Sequence, residues 1–557
     1  MRTGRLVPRV DARRAPGDDA HPRAGAGKQP RRHRHPQRPR AAGAGAGPAP
    51  HPGLRALAQL GPARAALRRA RPGGLFRQRA HRPQRLSARR VPPRAAVSPG
   101  LARWLLASAV LQLLCATLIA GRLHPDEVHQ WIEPASRWVH GYGTTSHEWY
   151  SGMRNVLGPG LVAAVFALCK SLHLRGPALT LGALHLATGL ASLWSLRALH
   201  AYLLRYSSAA SAELAVALVA CSAPFANLAF RPMGESLSAM AAMLALGAYG
   251  VSPLRVGGWL GVAFVLRYPS GLLLVAPALA LLLRRDRAAI ARALVGVSLP
   301  LLALGLADRL AWGSAFHSVR AYLQFNLVDD RARIDFGARP AWFYLACLPM
   351  FVPAGAWIAL RGLDRRRLGL AGAMALVYLA GMSAIAHKEF RFALVAVPLV
   401  TAALVGARSS WTTAERRLAL ALTAAQSAVV VAVLSLSGYC QGDPARAARW
   451  AGGRADLREL VMVNASHPGL ATIGRRIAVW GDPKEQRART AALVAARGRG
   501  WCPPGRYLVC DERRGQCLDE MMRREGCVVV ARRGRAVVIA RSAWTGRSAT
   551  SPGPDAP

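Results

Sequence analysis

The chain has 557 residues, just over half of them hydrophobic, and a formal net charge of +46 at pH 7. The charge suggests nucleic-acid binding, yet the basic residues are not interleaved with aromatic residues and no zinc-finger spacing accompanies them. The apolar residues come in blocks of about 20 residues, the length that a helix needs to cross a bilayer. Composition therefore predicts an integral membrane protein that contacts membrane lipids and no nucleic acid.

Residues 1–100 hold 24 Arg and Lys against three Asp, and Arg, Pro, Ala, Gly and His dominate them. Such a composition cannot bury a core, which predicts a disordered basic segment. One interpretation is a tail that contacts anionic lipid headgroups. The other is that translation starts further along and that upstream sequence of high GC content is read as protein. The residue bias favours the second interpretation, which a native N-terminal peptide from before Arg90 would exclude.

Residues 101–437 are predicted to form an all-α polytopic membrane domain with about eleven transmembrane helices. The predicted spans are 101–121, 156–172, 176–199, 212–230, 233–250, 256–283, 291–312, 341–360, 368–386, 391–407 and 418–437. The short blocks within 156–199 and 212–250 could be re-entrant instead.

Basic residues mark one side of this domain. If the spans alternate, one side receives the Arg-rich connections 284–287, 361–367 and 408–417. The positive-inside rule makes that side cytoplasmic. Outside then lie the loop 122–155, the loop 313–340, the connection 387–391 and all residues after 437.

The first outer loop begins with two adjacent carboxylates, Asp126 and Glu127, directly after Pro125. Carboxylates beside a membrane are costly unless they are hydrated, paired or used in chemistry. An ordinary hydrated loop start, with Trp131 anchoring an interfacial helix, would explain them as well as a functional site would. Composition alone leaves both interpretations open.

The same loop later carries Glu148 and Arg154 among aromatic residues that suit a membrane interface. The two side chains could pair with each other across a turn. Alternatively, Arg154 could hold a phosphate, because the guanidinium fork matches phosphate geometry.

A third polar cluster, from His387 to Arg391, is enclosed between two apolar blocks. Snorkelling to the interface explains Lys388 and Arg391, but it does not explain His387 or Glu389. We therefore favour a functional role for this connection.

Residues 438–545 alternate polar helical sequence with short β-like runs, which predicts a small extracytoplasmic α/β domain. The helical stretch is 485–496, and the β-like runs are 477–480, 507–510, 528–530 and 536–539. Residues 546–557 are predicted to be a disordered tail.

Cys440 directly follows the last apolar block, and four more of the nine cysteines, Cys502, Cys510, Cys517 and Cys527, cluster later in this domain. An even cluster suits disulfides in an oxidising compartment, whereas the spacing does not suit a zinc site. The spacing does not determine which cysteines pair.

The three polar clusters together resemble the motifs of glycosyltransferase family 22, which includes the GPI-anchor mannosyltransferases. The family's Pro-Asp-Glu motif, followed by an aromatic residue and a Glu, is matched from Pro125 to Glu133. Its Gly-x-Gly motif ending in Trp-Glu-Trp, with a downstream Arg, is matched from Gly141 to Arg154. Its His-Lys-Glu-x-Arg-Phe motif is matched from His387 onward.

The resemblance covers roughly residues 101–410, with weaker similarity at 231–237 and 326–344. Two positions depart from the family pattern: His147 stands where the family has Trp, and Asn155 where it has Ser. These departures leave the acceptor open. The sequence after Gly438 has no counterpart in the family pattern.

The resemblance implies a GT-C fold whose active site opens outward. It also implies an inverting transfer of a hexose, expected to be mannose, from a polyprenyl-phosphate donor to a glycolipid or lipid-linked glycan acceptor. Such a transfer needs one base, for which Asp126 is the candidate and Glu127 the alternate.

The leaving phosphate would be stabilised by the cations Lys388, Arg154 and Arg391. Donor or acceptor would be oriented by His387, Glu148 and Glu389. The scheme requires no cofactor and no metal ion, although Asp126 and Glu127 could bind a metal. The lack of a P-loop predicts no nucleotide.

A polytopic transporter or lipid flippase is the main alternative, since transporters also keep ionisable residues in membranes. Here those residues gather in outer loops and no internal repeat is evident, which favours an enzyme. A non-catalytic scaffold would not need the polar clusters on one side. A closer alternative is another GT-C enzyme, such as a protein O-mannosyltransferase or an arabinosyltransferase, which also has acidic residues in the first outer loop; the Gly-x-Gly and His-Lys-Glu motifs favour family 22. The composition suggests a bacterial plasma membrane, with the site facing outside; a eukaryotic relative would face the lumen of the endoplasmic reticulum.

Overall fold

The computed structural model describes the following residues of the chain: 98–119, 121–122, 124–174, 176–463, 465–480, 501–512, 517, 523–524 and 526–541. Three predictions fall outside these residues: the basic segment up to residue 97, the helical stretch 485–496 and the chain end 546–557.

Helices form the membrane domain. They are α1 (Pro99–Leu118), α2 (Glu133–His140), α3 (His147–Tyr150), α4 (Leu157–Ser171), α5 (Pro177–Tyr206), α6 (Ala209–Ala220), α7 (Ala223–Ala229), α8 (Gly234–Ala248), α9 (Pro253–Leu266), α10 (Val275–Arg284), α11 (Arg287–Trp312), α12 (His317–Leu323), α13 (Arg331–Phe336), α14 (Phe343–Phe351), α15 (Gly369–Ala384), α16 (Val397–Ala407) and α17 (Thr413–Ser437). They are joined by π-helical turns at Glu127–Ile132 and Gln324–Val328 and by 3₁₀ segments at Tyr268–Leu274, Ala354–Gly362, Arg365–Arg367 and Phe390–Ala396.

Within the described residues, five helical segments are long and apolar enough to cross a membrane: α1, α5, α11, Phe390–Ala407 and α17. Two bent pairs raise the number to seven if each pair is one span; α6 and α7 meet at 68°, and α14 and Ala354–Gly362 at 106°. The remaining predicted blocks form apolar helices of 10–17 residues. Every predicted block is helical, but the count of about eleven spans stays a prediction.

One predicted span, 256–283, is broken in the structure. Helix α9 ends at Leu266, and Arg267 is extended with φ −156° and ψ 106°. Pro269 follows two residues later and cannot donate a backbone hydrogen bond to a continued helix. A 3₁₀ segment and α10 then lead away, so Arg267 lies at a turn between two helices rather than inside one.

Helix α4, predicted as a span, has both ends tied to neighbouring helices, α9 and α2. Asn155, just before its N-terminus, donates from its side chain to the carbonyl of Val265 at 2.9 Å. Lys170, in its last turn, donates to the carbonyl of Val139 in α2 at 2.9 Å. Helix α4 therefore lies beside the first loop along its length.

The C-terminal region is a small α/β unit, as the sequence predicts. Its elements are α18 (Gly442–Gly452), β1 (Glu459–Val463), α19 (Leu470–Ile473), β2 (Ala478–Trp480), β3 (Arg506–Asp511), β4 (Cys527–Arg533) and β5 (Ala536–Arg541). The strand order is β2-β1-β3-β5-β4; β1 is parallel to β2 and β3, and β5 is antiparallel to β3 and β4.

The three central strands, β1, β3 and β5, are buried on both faces, which explains their near-continuous apolar sequences. One face packs against small residues of α18, among them Ala447 and Ala451. The other face packs with Trp501 and the cysteines, which form the disulfides Cys502–Cys527 and Cys510–Cys517. The sequence predicts disulfides here, and the structure assigns the pairs.

Candidate active site

Asp126 lies where the first loop enters its π-helical turn, with its side chain 21% exposed. Its Oδ2 is 2.7 Å from a guanidinium nitrogen of Arg391, and its Oδ1 is 3.1 Å from Nδ1 of His124. The first loop and the connection 387–391, far apart in sequence, therefore meet at Asp126.

Arg391 is the centre of this cluster. Besides Asp126, its guanidinium contacts Glu389 at 2.7 Å and Glu235 at 3.1 Å. Only 12% of the side chain is exposed, so these three carboxylates compensate the cost of burying its charge. Replacing Arg391 would leave three carboxylates close together without their shared cation.

Glu389 joins the two histidines of the cluster. Its Oε2 is 3.2 Å from Nε2 of His124, and its Oε1 is 3.1 Å from Nε2 of His387. The other ring nitrogen of His387 contacts the carbonyl of Gly337 at 3.2 Å, which ties the connection to the loop before α14. Glu389 thus holds His124, His387 and Arg391 in one arrangement.

Arg267 extends the cluster toward the broken helix. Its Nε donates to Glu235 at 3.2 Å, and its NH1 donates to the hydroxyl of Tyr378 at 3.1 Å. From the sequence, Glu235 falls only in the segment 231–237 of weaker similarity to the family, and Arg267 is not predicted as a site residue. The available signal was an arginine in the middle of an apolar block, which is costly unless paired or used.

Arg154 and Glu148 form a bidentate pair, with contacts of 2.7 and 3.1 Å. The guanidinium also lies 5.9 Å from the ring centre of Tyr322. The structure therefore contains the Arg154–Glu148 pair that the sequence suggested. Arg154 also lines the same cleft as Asp126, so a role for Arg154 in binding an anion stays a prediction.

The cleft itself is narrow and polar, with a free volume of about 80 Å³. Its charged lining residues are Asp126, Glu235, Arg154, Arg267 and Arg391. Apolar and aromatic walls complete it, among them Trp131, Tyr322 and Phe392. Glu235 is almost fully buried, so Asp126 is the accessible carboxylate of the cleft. One accessible carboxylate beside three guanidinium groups suits a base next to an anion-binding surface.

Glu127 points away from this cleft. It is 2% exposed and pairs with the fully buried Arg231 at 3.0 Å. Arg231 also donates to the carbonyls of Gly121 and Ile119 at 2.8 and 3.1 Å. Asp126 lines the cleft and Glu127 does not, so the two adjacent carboxylates are directed to different sides of the turn.

Lys388 is also placed outside the cleft. Its side chain is buried and donates to the carbonyls of Arg339, at 3.1 Å, and Ile385. These bonds anchor the connection 387–391 to the loop before α14. The phosphate role that the sequence suggests for Lys388 has no geometric support here.

The charge states follow from these contacts. Burial opposes ionisation of Asp126, but the Arg391 guanidinium and His124 hold the pKa of its carboxyl well below its usual range. Burial likewise opposes a low pKa at Glu389, but His124, His387 and Arg391 depress it strongly. Burial would lower the pKa of His124, but hydrogen bonds to Asp126 and Glu389 raise it to about 9. Asp126 is therefore ionised and His124 protonated at neutral pH.

Within the described part of the chain, no three His, Cys, Asp or Glu side chains come together in a way that could hold a metal ion. The expectation that the chain needs neither metal nor cofactor stays a prediction.

Comparisons with known proteins identify the family of the chain. The sequence model of the Alg9-like mannosyltransferase family matches residues 103–445, which include Asp126, Arg154 and Arg391. The chain belongs to the Alg9-like mannosyltransferase family. This membership favours the enzyme over the transporter alternative.

Among curated proteins, GPI mannosyltransferase 3 of Yarrowia lipolytica is 27% identical over 314 residues, covering 52% of this chain and 60% of the relative. GPI mannosyltransferase 3 of Candida albicans is 26% identical over 279 residues, covering 48% of this chain and 56% of the relative. The chain thus spans somewhat more than half the length of the curated relatives it matches.

Among solved structures, ArnT from Cupriavidus metallidurans, determined bound to undecaprenyl phosphate, aligns with a TM-score of 0.51 and 15% sequence identity. The alignment covers 80% of this chain and 98% of ArnT. At this identity the likeness concerns the fold alone, and it agrees with the GT-C-like fold that the resemblance implies.

Proposed function

We propose that this chain is an inverting mannosyltransferase that moves mannose from a polyprenyl-phosphate donor to a glycolipid or lipid-linked glycan acceptor. The observation that carries the proposal is the placement of Asp126 in a cleft beside three guanidinium groups. Family membership supports mannose as the sugar, and the three cations suit a donor whose leaving group is a phosphate. ArnT, a protein of the same fold, was solved with undecaprenyl phosphate bound.

Asp126 is the proposed base, which takes the proton of the acceptor hydroxyl as that oxygen attacks the anomeric carbon. A phosphate is already a good leaving group, so a second carboxylate acting as acid is not required, unlike in ordinary glycoside hydrolysis. Glu127, held by Arg231, is assigned a structural role. Lys388, held by backbone carbonyls, is assigned one as well.

Arg391 and Arg154 are proposed to bind the donor phosphate, together with Arg267. Arg391 lies 2.7 Å from Asp126, and this contact lowers the basicity of the carboxylate. A donor phosphate would compete for the Arg391 guanidinium. Binding of the donor would therefore loosen the Asp126 pair and raise the basicity of Asp126 when the acceptor is in place. Glu148, Glu389 and His387 would orient these cations rather than touch the sugar.

The proposed division of the chain follows the same geometry. Residues 101–437 would be the catalytic membrane domain, and residues 438–545 would lie outside the cytoplasm. Two contacts inform the topology: α4 lies beside the outer loop, and the break at Arg267 reaches the cleft. If α4 does not cross the membrane and the segment 256–283 crosses it twice, the number of crossings before residue 284 is unchanged. Alternation of the spans then still places the Arg-rich connections 284–287, 361–367 and 408–417 on one side. The two disulfides in the C-terminal region suit an oxidising outer compartment.

Donor class is the direct test of this proposal. Membranes containing the chain, and matched membranes without it, would receive polyprenyl-phosphate-[³H]mannose or GDP-[³H]mannose together with a lipid extract as acceptor. We expect label in new glycolipid only with the lipid-linked donor and only when the chain is present. Transfer from the nucleotide sugar under conditions that block formation of the lipid-linked donor would contradict the proposal.

A further inference from the structure

A second cavity lies between the membrane domain and the C-terminal region, and it shares no lining residue with the cleft at Asp126. Its free volume is about 400 Å³, within the range of about 300–1,000 Å³ that small-molecule sites occupy. The buried pair of Glu127 and Arg231 forms part of its wall. Asp126 and Glu127, adjacent in sequence, thus face two different cavities.

One side of this cavity is apolar and belongs to two candidate membrane spans. Ala116 of α1 and Ala178, Leu181 and Gly182 of α5 line it. Neighbouring side chains on the same helices point outward and are well exposed, as in Leu118 at 56% and Leu186 at 64%. The cavity therefore adjoins the surfaces of α1 and α5 that would face lipid acyl chains.

The other side is strongly basic. The cations that line the cavity are Arg122, Arg231, Arg446 and Arg449, and the only carboxylate among the lining residues is Glu127. Arg231 is matched by Glu127, and Arg446 pairs with Asp443 in the same helix turn. The two histidines of the lining do not balance the excess, because neither carries a negative charge.

Arg449 is the cation least compensated by protein. Its side chain is half-buried, and its Nε has no hydrogen-bond partner. Burial and the nearby Arg446 guanidinium lower the pKa of Arg449. A buried polar nitrogen without a hydrogen-bond partner is costly, so an acceptor bound in the cavity would stabilise this side chain.

We propose that this cavity binds the phosphate headgroup of an anionic membrane phospholipid. Arg446 and Arg449 contact the phosphate, and the acyl chains lie against α1 and α5. A guanidinium fork matches phosphate oxygens, and the apolar side of the cavity suits the burial of acyl chains. The site joins α1, α5 and α18 through one lipid, and it is independent of the sugar donor and of the proposed transfer.

Binding of phosphatidylglycerol to the purified full-length chain tests the proposal. The protein, stripped of lipid in neutral detergent, would be titrated with phosphatidylglycerol, phosphatidylcholine or inorganic phosphate, and bound lipid counted by native mass spectrometry. We expect phosphatidylglycerol to bind more tightly than phosphatidylcholine, and inorganic phosphate not to displace it.

Two variants address the two halves of the site. Arg449→Gln removes the charge and is expected to weaken phosphatidylglycerol binding about tenfold. Gly182→Leu fills the apolar side; a Cβ at Gly182 would meet no atom within 4 Å, and Leu favours the helix more than Gly does, so this variant should fold. Arg541→Gln, an exposed arginine of the same region that does not line the cavity, is the matched control and should bind like wild type.

The proposal fails if Arg449→Gln and Gly182→Leu both bind phosphatidylglycerol as tightly as Arg541→Gln does. It also fails if inorganic phosphate displaces the lipid and Gly182→Leu has no effect, because the site would then take a free anion. Melting curves of each variant separate loss of the site from loss of the fold.

Discussion

Glu133 connects the first loop to the C-terminal region, and its replacement should separate them. Its side chain is fully buried and accepts four hydrogen bonds. Two come from the backbone amides of Leu470 and Ala471 at the start of α19, at 2.9 and 2.8 Å. Two come from the backbone amide and the hydroxyl of Thr144, at 2.7 and 3.0 Å.

Glu133→Ala leaves two buried backbone amides and the half-buried amide of Thr144 without this acceptor, whereas the Thr144 hydroxyl can rotate toward the His129 ring 3.2 Å away. Each orphaned buried donor costs about 1–3 kcal/mol, and relaxation with entry of water recovers part of the total. We therefore expect a loss of about 3–5 kcal/mol in the docking of the C-terminal region. For a region of about a hundred residues this corresponds to a melting temperature lower by more than about 10 °C.

The assay is limited proteolysis during heating of the full chain in detergent, with cleavage after residue 437 followed by mass spectrometry. The matched control is Glu512→Gln, because Glu512 pairs with Arg532 on the surface at 2.9 Å, with side chains 39% and 60% exposed. An exposed pair of this kind contributes about 0–1 kcal/mol. If Glu133→Ala releases the C-terminal region at the same temperature as Glu512→Gln, the four bonds do not hold the interface and the reasoning is wrong.

Three further predictions concern other parts of the molecule. Lys388→Met should lower the melting temperature and leave the KM for the lipid-linked donor unchanged, because Lys388 donates to backbone carbonyls. A tenfold higher KM at unchanged melting temperature would instead indicate that Lys388 binds the donor phosphate. His124 has its pKa raised from 6.5 to about 9, so the stability from its protonated form is fully present below pH 6.5 and is lost as the pH rises through 9. The melting temperature of the wild type should fall between these pH values, whereas that of His124→Gln should not. The same fall in both proteins would argue against the His124 contacts. The two disulfides leave five of nine cysteines free, so denatured unreduced protein should take up five maleimides and reduced protein nine; nine without reduction would argue against an oxidising compartment.

The sequence predicts the helical blocks well because an apolar run of about 20 residues has few stable alternatives in a membrane. It does not predict where such a run breaks. The block 256–283 is predicted as one span. Pro269 disfavours a continuous helix there, and the pairing of Arg267 with Glu235, from another helix, holds Arg267 at the break. A tertiary contact of this kind leaves little trace in the periodicity of one segment.

Part of the site was predictable from the sequence, because ionisable residues beside apolar blocks are costly unless they are paired or used. Asp126, Arg154, Glu389 and Arg391 stand out as ionisable residues beside apolar blocks, and the structure brings them to one cluster or its cleft. Sequence could not separate Asp126 from Glu127, because the direction of each side chain depends on the π-helical turn. Nor could it give the role of Glu133, because two of its four hydrogen-bond donors, the amides of Leu470 and Ala471, lie more than 300 residues away.

The central claim is that Asp126 is the base of a mannosyl transfer, and the substitution Asp126→Asn tests it most directly. Mannose transfer from polyprenyl-phosphate-mannose would be measured in membranes with equal amounts of wild type, Asp126→Asn and the control Asp335→Asn, whose carboxylate pairs with Arg331 in α13 at 3.2 Å, away from the cleft. Loss of a general base costs typically about 10²–10⁴-fold in rate, so we expect Asp126→Asn to lose at least about a hundredfold while Asp335→Asn keeps wild-type activity. Equal transfer by Asp126→Asn and wild type would contradict the account.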